Sequence, residues 1–221
     1  MIVPEAPERF LVEFLPTLVA SVIADSGAFA DSAEPRAARA SDEESRRGRR
    51  GPSSAGIAVR VVGVGEWTLR LAERTLQITA GVADDVALQL SLRGEDFAPL
   101  VIEPTRRALQ SPDAAAARAR AARGFWTRLG RFDDETADLL RRQEGRILVR
   151  VNDSGTSRNI ALTPGAQPYS LDSAECCIDC DLSALESIQE KKSNPLDLFY
   201  DGQIRITGDA QIALAMAGLF L

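Results

Sequence analysis

The chain has 221 residues, 45% of them apolar, and carries 26 basic and 32 acidic side chains for a net charge of −6. This length predicts one domain, or one and a fraction, with enough apolar residues for a substantial core. The net negative charge argues against a nucleic-acid partner. Histidine is absent, which excludes Ser-His-Asp and Cys-His catalysis and metal sites with histidine ligands.

Residues 1–31 are predicted to contain an amphipathic helix. Apolar side chains recur there at three- and four-residue spacing and would share one face: Leu11, Phe14, Leu15, Leu18, Val22 and Ile23. The alternative is an export signal ending at Ala28-Phe29-Ala30, but Glu5 and Glu8 stand where such a leader carries positive charge. No stretch of the sequence approaches the roughly 20 apolar residues that a membrane span needs.

Residues 32–56 are predicted to form a flexible linker. The segment is rich in Ala, Ser, Pro, Gly and charged residues, and its central part contains no large apolar side chain. Its paired arginines could form a nucleic-acid or localisation patch, but acidic residues 42–44 directly precede them, which favours a solvated linker.

Two later regions resemble each other and predict two β-meanders, each followed by a helix. The repeat pairs WTLRL with ILVRV, LQITAG with IALTPG, and VALQLSL with CCIDCDL, at offsets of 80, 84 and 90 residues. Alternation of apolar and polar residues between turn residues is the pattern of half-buried strands. We therefore expect residues 57–110 to form a meander with a helix, and residues 146–221 to form a second such unit.

Residues 111–145 are predicted to be a basic helical connector between these units. Ser111-Pro112-Asp113 is a typical helix start, and residues 106–131 carry seven arginines against one acid. Aromatic and basic side chains together are typical of a helix that transiently contacts an anionic membrane surface; here they are Phe125, Trp126, Arg128 and Arg131. In the alternative, the aromatic rings cover the sheet, because exposing them to water is costly.

The C-terminal stretch DGQIRITGDAQIALAMAGLF is the most specific motif of the chain. Ile204 and Ile206 alternate with polar residues as in a one-sided strand, Gly208 permits a tight exit, and Asp209 can cap the helix that follows. That helix would present an apolar face together with several alanines. The motif therefore predicts a strand, a Gly-Asp step and a slim apolar helix.

This ending resembles that of the sterol carrier protein 2 (SCP2) family, and the resemblance extends back through NPLDLFYDG to about residue 134. It implies an α+β fold in which a mixed β-sheet is covered by helices, with an apolar tunnel between them that binds a sterol, fatty-acyl or isoprenoid lipid. The meander at 57–110 resembles a degenerate copy that lacks any counterpart of GQIRITGD. The sequence leaves open whether this copy forms its own tunnel or instead completes or covers the C-terminal unit.

The leading hypothesis is a cytoplasmic protein that binds and transfers a lipid without covalent chemistry, catalytic residues or cofactor. The expected tunnel lining is the set of apolar side chains that face the helix layer: Ile178, Leu185, Ile188, Phe199, Ile204, Ile206, Ile212 and Met216. The rival hypothesis is a protein-interaction or assembly module whose tunnel is filled by its own side chains. A homodimer remains open under either hypothesis.

The three cysteines do not change this interpretation. Cys176, Cys177 and Cys180 lie too close together to staple the fold, which favours a reducing compartment. The CxxC spacing of Cys177 and Cys180 invites a zinc site, but residues three apart on a strand point to opposite faces, and no ordinary fourth ligand exists. We therefore expect buried thiols and no metal.

Overall fold

The computed structural model describes residues 2–26, 56–72, 75–110, 134–189 and 192–214. Several sequence predictions fall elsewhere and lie outside the described residues. These are the linker at 32–56 apart from Gly56, the first part of the basic connector with Phe125, Trp126, Arg128 and Arg131, and Met216 in the last helix.

Helices cover one face of a single sheet within the described part of the chain. The strands are β1 Gly56–Val62, β2 Gly65–Ala72, β3 Thr75–Ala80, β4 Val86–Arg93, β5 Ile147–Asp153, β6 Thr156–Pro164, β7 Cys176–Asp181 and β8 Ile204–Gly208. The helices are α1 (Pro7–Arg9, Phe10–Phe14 and Leu15–Ser26), α2 (Gly94–Phe97, Ala98–Ile102 and Glu103–Gln110), α3 Asp134–Arg142, α4 Leu182–Gln189, α5 Pro195–Tyr200 and α6, which begins at residue 210. The middle segments of α1 and α2 are π-helical. The segment in α2 contains Pro99, and Pro16 lies two residues beyond the segment in α1; proline lacks the N–H that a regular helical hydrogen bond requires.

The eight strands form one mixed sheet in the order β3-β2-β1-β4-β6-β5-β7-β8. Strand β1 runs parallel to β4 and β5 runs parallel to β7, whereas the other neighbours are antiparallel. The predicted α+β class, a mixed sheet covered by helices with an additional N-terminal meander and helix, is confirmed.

The sheet contains two related units, and the structure corrects how they align. In the first unit (β1–β4 and α2), strand β1 lies parallel to β4, the strand that precedes helix α2. In the second unit (β5–β8 and α4–α6), strand β5 lies parallel to β7, the strand that precedes helix α4. The matching segments are IAVRV at 57–61 and ILVRV at 147–151, an offset of 90 residues that also relates Val86 to Cys176. The offsets of 80 and 84 were wrong because neighbouring alternating strands resemble one another, so periodicity alone does not show which strand is which.

Within the described residues, each unit has a strand for which the other shows no counterpart. The second unit has an irregular segment at 165–175 where the first has β3, and no counterpart of β8 is described in the first. Strand β4 of the first unit pairs with β6 of the second, with Leu90 opposite Leu162 and Leu92 opposite Ile160. This pairing joins the strands of both units into one sheet. The first meander therefore completes the sheet of the second unit.

The helices pack on one face of this sheet. Around the first unit, Phe10 and Phe14 of α1 and Phe97 and Ile102 of α2 form a buried cluster with Trp67 and the strands beneath them. The opposite face is covered in its middle by the segment at 165–175, where Leu171 packs on Leu148 and Ala161. The Gln89 amide holds this segment by donating hydrogen bonds to the carbonyls of Gly165 (2.9 Å) and Gln167 (2.8 Å). Among the described residues no helix is long and apolar enough to cross a membrane.

Helix α2 also links the two units. Its Leu100 packs with Leu198 of α5 and Ala184 of α4, and Arg107 pairs with Glu186 of α4. At its start, the Asp96 carboxylate lies 3.8 Å from the Arg158 guanidinium on β6. Burial raises the pKa of Asp96, and Glu95 beside it raises it further. Part of the helix layer over the second unit is therefore supplied by the first.

Candidate functional site

A row of apolar side chains crosses the middle of the sheet on the helix side. It consists of Ile160, Val149, Ile178 and Ile206, which lie opposite one another on β6, β5, β7 and β8. All four are only half-buried. We call these four residues the central row.

In the rows on either side of the central row, the apolar residues of β5, β7 and β8 are buried, whereas Leu162 of β6, opposite Ile147, is half-buried. Ile147 and Cys176 lie on one side, and Val151, Cys180 and Ile204 lie on the other; none is more than 8% exposed. The middle of a sheet covered by helices is expected to be its most buried part, since water reaches the ends first. In the described part of the chain, the helix layer therefore covers the central row less completely than its neighbours, and we call the region above the central row the central groove.

Two separate clusters form the walls of the groove. On one side, Ala137 and Leu140 of α3 pack with Ile212 and Ala213 of α6 over Ile147 and Cys176. On the other side, α2, α4 and α5 pack over Val151, Cys180 and Ile204. Half-buried apolar side chains of the helices border this second wall: Val101 of α2 and Leu185 and Ile188 of α4. The groove is therefore bounded by aliphatic groups on each described side.

The structure distributes the predicted lining residues over three environments. Ile178 and Ile206 lie in the central row and Leu185 and Ile188 on the neighbouring helix α4, whereas Ile204 and Ile212 are buried inside the two walls. Phe199 is 42% exposed and its ring lies 5.9 Å from that of Tyr200, outside both walls. Leu198 is the residue of α5 that packs inward. Met216 lies outside the described residues.

Sequence reasoning missed several residues that border the same space. They are Val149, Ile160, Leu162, Leu90 and Val101, all half-buried on the helix side. The alternation within ILVRV and IALTP already places Val149, Ile160 and Leu162 on the apolar face of their strands. Only the pairing of β4 with β6 brings Leu90 to them.

Two thiols lie among these apolar groups. Cys176 and Cys180 are buried, Cys177 is half-buried, and all three are free. Burial, together with smaller contributions from the negative charges of Asp181 and Asp179, raises the pKa of the Cys180 thiol to about 11. Burial likewise raises the pKa of Cys176. Both thiols are therefore protonated at neutral pH and are poor nucleophiles and poor metal ligands. The described residues contain no group of three His, Cys, Asp or Glu side chains that could hold a metal ion.

A polar cleft of about 1290 Å³ lies at the end of the sheet where β5 and β7 begin. It is lined by Arg141, Arg142, Gln143, Glu144, Gly145, Gln167, Glu175, Asp209, Gln211 and Ile212. Arg146 donates hydrogen bonds to the Glu175 carboxylate here, from Nη2 to Oε1 over 2.9 Å and from the backbone N–H to Oε2 over 2.8 Å. These hydrogen bonds, led by those of the guanidinium, lower the pKa of Glu175 to about 2. The pair holds the starts of β5 and β7 together.

Comparisons with known proteins find a family model that is similar to the C-terminal part of the chain. Residues 127–221 match the model of the SCP-2 sterol transfer family, which confirms the resemblance seen in the sequence. A search of curated proteins found no significant match.

Solved structures similar to this chain include three sterol carrier proteins. Sterol carrier protein 2 from Yarrowia lipolytica, in its apo form, is 16% identical over 37% of this chain and 76% of its own, with a TM-score of 0.30. The sterol carrier protein domain 2 of Helicoverpa armigera is 18% identical over 39% and 74%, with a TM-score of 0.32. Sterol carrier protein 2 like 2 from Aedes aegypti is 16% identical over 43% and 94%, with a TM-score of 0.29.

Proposed function

We propose that this protein binds an apolar lipid in the central groove and transfers it without covalent chemistry. The observation that carries the proposal is that the central row is half-buried although its neighbours Ile147, Cys176, Val151, Cys180 and Ile204 are buried. Burying apolar surface contributes about 0.8 kcal/mol for each methylene group, so a lipid that covers this row needs no strong polar anchor. The match of residues 127–221 to a sterol transfer family supports the same conclusion.

The chemistry of the groove supports binding rather than catalysis. Its central row and the bordering residues of α2 and α4 are aliphatic, and the neighbouring thiols of Cys176 and Cys180 have raised pKa values. General acid–base or nucleophilic catalysis requires a group whose pKa suits the reaction. The ligand is thus a sterol, fatty-acyl or isoprenoid lipid, and the protein acts as a carrier. The three free cysteines support a cytoplasmic setting.

A protein-interaction module is the second candidate, and one surface favours it. Leu196, Phe199 and Tyr200 of α5 are exposed, Tyr200 by 81%. Apolar side chains grouped on a surface are typical of contacts with another protein, including a second copy of the same chain. The transient membrane contact expected through Phe125, Trp126, Arg128 and Arg131 lies outside the described residues and stays a prediction.

Native mass spectrometry of the purified protein and titration with a fluorescent fatty acid separate the two candidates. A carrier should retain a co-purifying lipid and bind the probe. The variant Ile206→Gln places an amide in the groove at the sheet edge, where a polar group without a partner costs about 1–3 kcal/mol, and should weaken probe binding at least about tenfold. The control Arg205→Gln, on the same strand but the opposite face, should bind the probe as wild type does. An empty protein that ignores the probe would favour the interaction module.

A further inference from the structure

The sheet ends in the first unit at β3, whose outer edge pairs with no described strand. Just beyond β3, the Gly81 N–H donates a hydrogen bond of 2.8 Å to the Glu66 carbonyl of β2. Hydrogen-bonded and non-hydrogen-bonded residue pairs alternate along an antiparallel ladder. The backbone groups of Leu76 and Ile78 therefore point away from β2, toward the open edge.

Strand β3 has none of the features that usually protect a sheet edge against a second strand. Protected edges typically carry a charged side chain, a proline or a bulge. The sequence of β3, TLQITA, contains neither charge nor proline, and its pairing with β2 is regular along the whole strand. At the other end of the described sheet, β8 carries Arg205. The β3 edge is therefore the better suited of the two to accept a further strand.

The sequence of β3 is also complementary to itself. Residues 75–79 read Thr-Leu-Gln-Ile-Thr, which gives the same kinds of side chain in both directions. When two copies pair antiparallel about Gln77, Leu76 lies opposite the partner's Ile78, and Thr75 lies opposite the partner's Thr79. Threonine pairs across strands are favourable, and the apolar pairs keep the helix side of the sheet continuous. A two-fold axis repeats each pair, and no like charges meet.

The same register satisfies the open backbone groups. The N–H and C=O groups of Leu76 and Ile78 point outward, so each residue exchanges hydrogen bonds with its opposite residue in the second copy. Gln77 then meets the partner's Gln77 on the axis, as a close pair without backbone hydrogen bonds. Side-chain matching and backbone geometry therefore select one register.

Apolar side chains on the helix side adjoin this edge. Residues that lie directly opposite share a face of an antiparallel sheet, so the helix layers of both copies would lie on the same side. The segment Leu15–Ser26 of α1 lies over β3. Leu18 and Ile78 are half-buried beside the core of the first unit. Apolar surface next to the strand is thus available to a second copy.

We propose that two copies of this chain associate through their β3 edges, antiparallel about Gln77, and form one sheet across both. The central row lies on β5 to β8, away from this edge, so the dimer leaves the central groove accessible and does not depend on lipid binding. A single short strand makes a smaller contact than the interfaces of permanent dimers. The dimer should therefore dissociate on dilution.

Sedimentation equilibrium of the full chain over a wide range of concentrations should show a monomer–dimer equilibrium. Gln77→Lys places like charges opposite each other on the axis and should raise the dissociation constant roughly two- to fivefold. Gln77 is exposed, so the fold should be kept, as circular dichroism can verify. The control Gln203→Lys makes the same change at an exposed residue beside β8 and should dimerise as wild type does. An equimolar mixture of Gln77→Lys and Gln77→Glu should regain the average mass of wild type, because opposite charges then meet.

Disulfide cross-linking tests the register directly. In a non-hydrogen-bonded pair the Cα atoms lie about 4.5 Å apart, within the range that a disulfide spans. Gln77→Cys should therefore form a covalent dimer under mild oxidation with diamide. Thr79→Cys keeps the same native cysteines, but its two copies would lie roughly 13 Å apart along the strands, too far for a disulfide. It should stay uncross-linked.

Several outcomes would overturn the inference. These are a wild-type chain that stays monomeric at every concentration, a dimer that Gln77→Lys leaves unchanged, and a dimer that Gln203→Lys weakens instead. A cross-link in Thr79→Cys but not in Gln77→Cys would also overturn it, because another register would then be present. None of these outcomes bears on lipid binding, which the probe titration tests separately.

Discussion

The two units contain strands of nearly the same sequence, but different helices pack over these strands. IAVRV in β1 and ILVRV in β5 have equivalent places in the sheet, yet Val59 is 8% exposed and buried in the first cluster, whereas Val149 is half-buried in the central row. The cover of the first unit contains Phe10, Phe14 and Phe97. The helices over the second unit contribute mainly alanine, leucine and isoleucine.

The helices above a strand, and not the strand itself, therefore decide whether the apolar face of that strand is fully buried or left half-buried. Aromatic rings are large enough to fill the space between a helix and a sheet, and Phe10 packs edge-on against Phe97 with ring centroids 5.7 Å apart. Alanines at Ala137, Ala184 and Ala213 bring helices close to the sheet at the walls, but they fill little volume beside them. The first unit therefore buries the apolar face of its strands, whereas the second leaves part of that face half-buried, as the proposed lipid binding requires.

The largest loss of stability is expected from a substitution in the packed core of the first unit. Phe97 is 1% exposed, and Phe97→Ala should lower the free energy of unfolding by about 3–5 kcal/mol, since it removes a buried ring and leaves a cavity. Leu185→Ala on the groove border should cost less than about 1.5 kcal/mol, because that side chain already borders open space. Urea denaturation followed by circular dichroism measures both. Equal losses would contradict the distinction between core and groove.

The next prediction concerns β8, which has no counterpart in the described part of the first unit. Gly208 has φ +83°, and a Cβ there would lie 2.2 Å from the carbonyl oxygen of Glu175. Gly208→Ala should therefore destabilise the protein by about 1–3 kcal/mol through backbone strain and loosen β8 from β7. Hydrogen exchange should become faster in β8 while β1 and β2 keep their protection. The control Gly202→Ala also changes a glycine of positive φ but meets no atom within 4 Å, so it should affect β8 exchange less.

The same valine-to-alanine substitution at the equivalent positions Val59 and Val149 tests the difference between the two units most directly. Val59→Ala should lower the free energy of unfolding by about 1–2 kcal/mol, because it empties part of a packed cluster. Val149→Ala should cost about half as much, yet weaken binding of a fluorescent fatty acid severalfold. Thermal melts and probe titrations on both variants give the four values. A binding defect in Val59→Ala alone would place the ligand in the first unit and reverse the assignment.

The smallest effect is a pH-dependent one at the polar end of the second unit. Hydrogen bonds from Arg146 lower the pKa of Glu175 from 4.5 to about 2. Because the folded state has the lower pKa, the stabilisation is complete above pH 4.5 and is lost as the pH falls toward 2. The carboxylate is 46% exposed, so Glu175→Gln should cost only about 0.5–1 kcal/mol at neutral pH.

Measurements at several pH values serve as the control for the Glu175→Gln substitution. The difference between wild type and Glu175→Gln in urea midpoint should shrink by about half midway between those two pKa values. A difference that stays constant with pH would mean that the substitution acts through packing and not through the charge of Glu175.

Local chemistry was enough to predict the elements of the C-terminal unit. Alternating apolar residues identified β5, β7 and β8, and Asp209 was expected to cap the last helix; its carboxylate accepts the Gln211 N–H at 2.9 Å. Asn194 caps α5 in the same way by accepting the Leu196 N–H at 2.9 Å. These features depend on residues a few positions apart, so they can be read from the chain without knowledge of the fold.

The candidate site was predictable only in part. Ile178 and Ile206 could be placed on the apolar face of their strands, but the sequence does not show that Ile204, two residues from Ile206, is buried in a wall while Ile206 is not. Phe199 and Leu198 are neighbours on one short helix, and only the docking of α5 decides that Leu198 packs inward. Burial at such positions depends on what lies above them, which is set by distant segments.

The sequence by itself determined the two alternating meanders, the Gly-Asp step and the resemblance of the C-terminal part to SCP2 proteins, because period-two patterns and caps are local properties of the chain. Only the tertiary structure decided that β1, and not β2, is the counterpart of β5, and that β4 pairs with β6 to make one sheet from two incomplete units. Strand pairing joins residues about 70 positions apart through backbone hydrogen bonds that every residue except proline can offer. Side-chain patterns therefore predict strands but not which strands are neighbours.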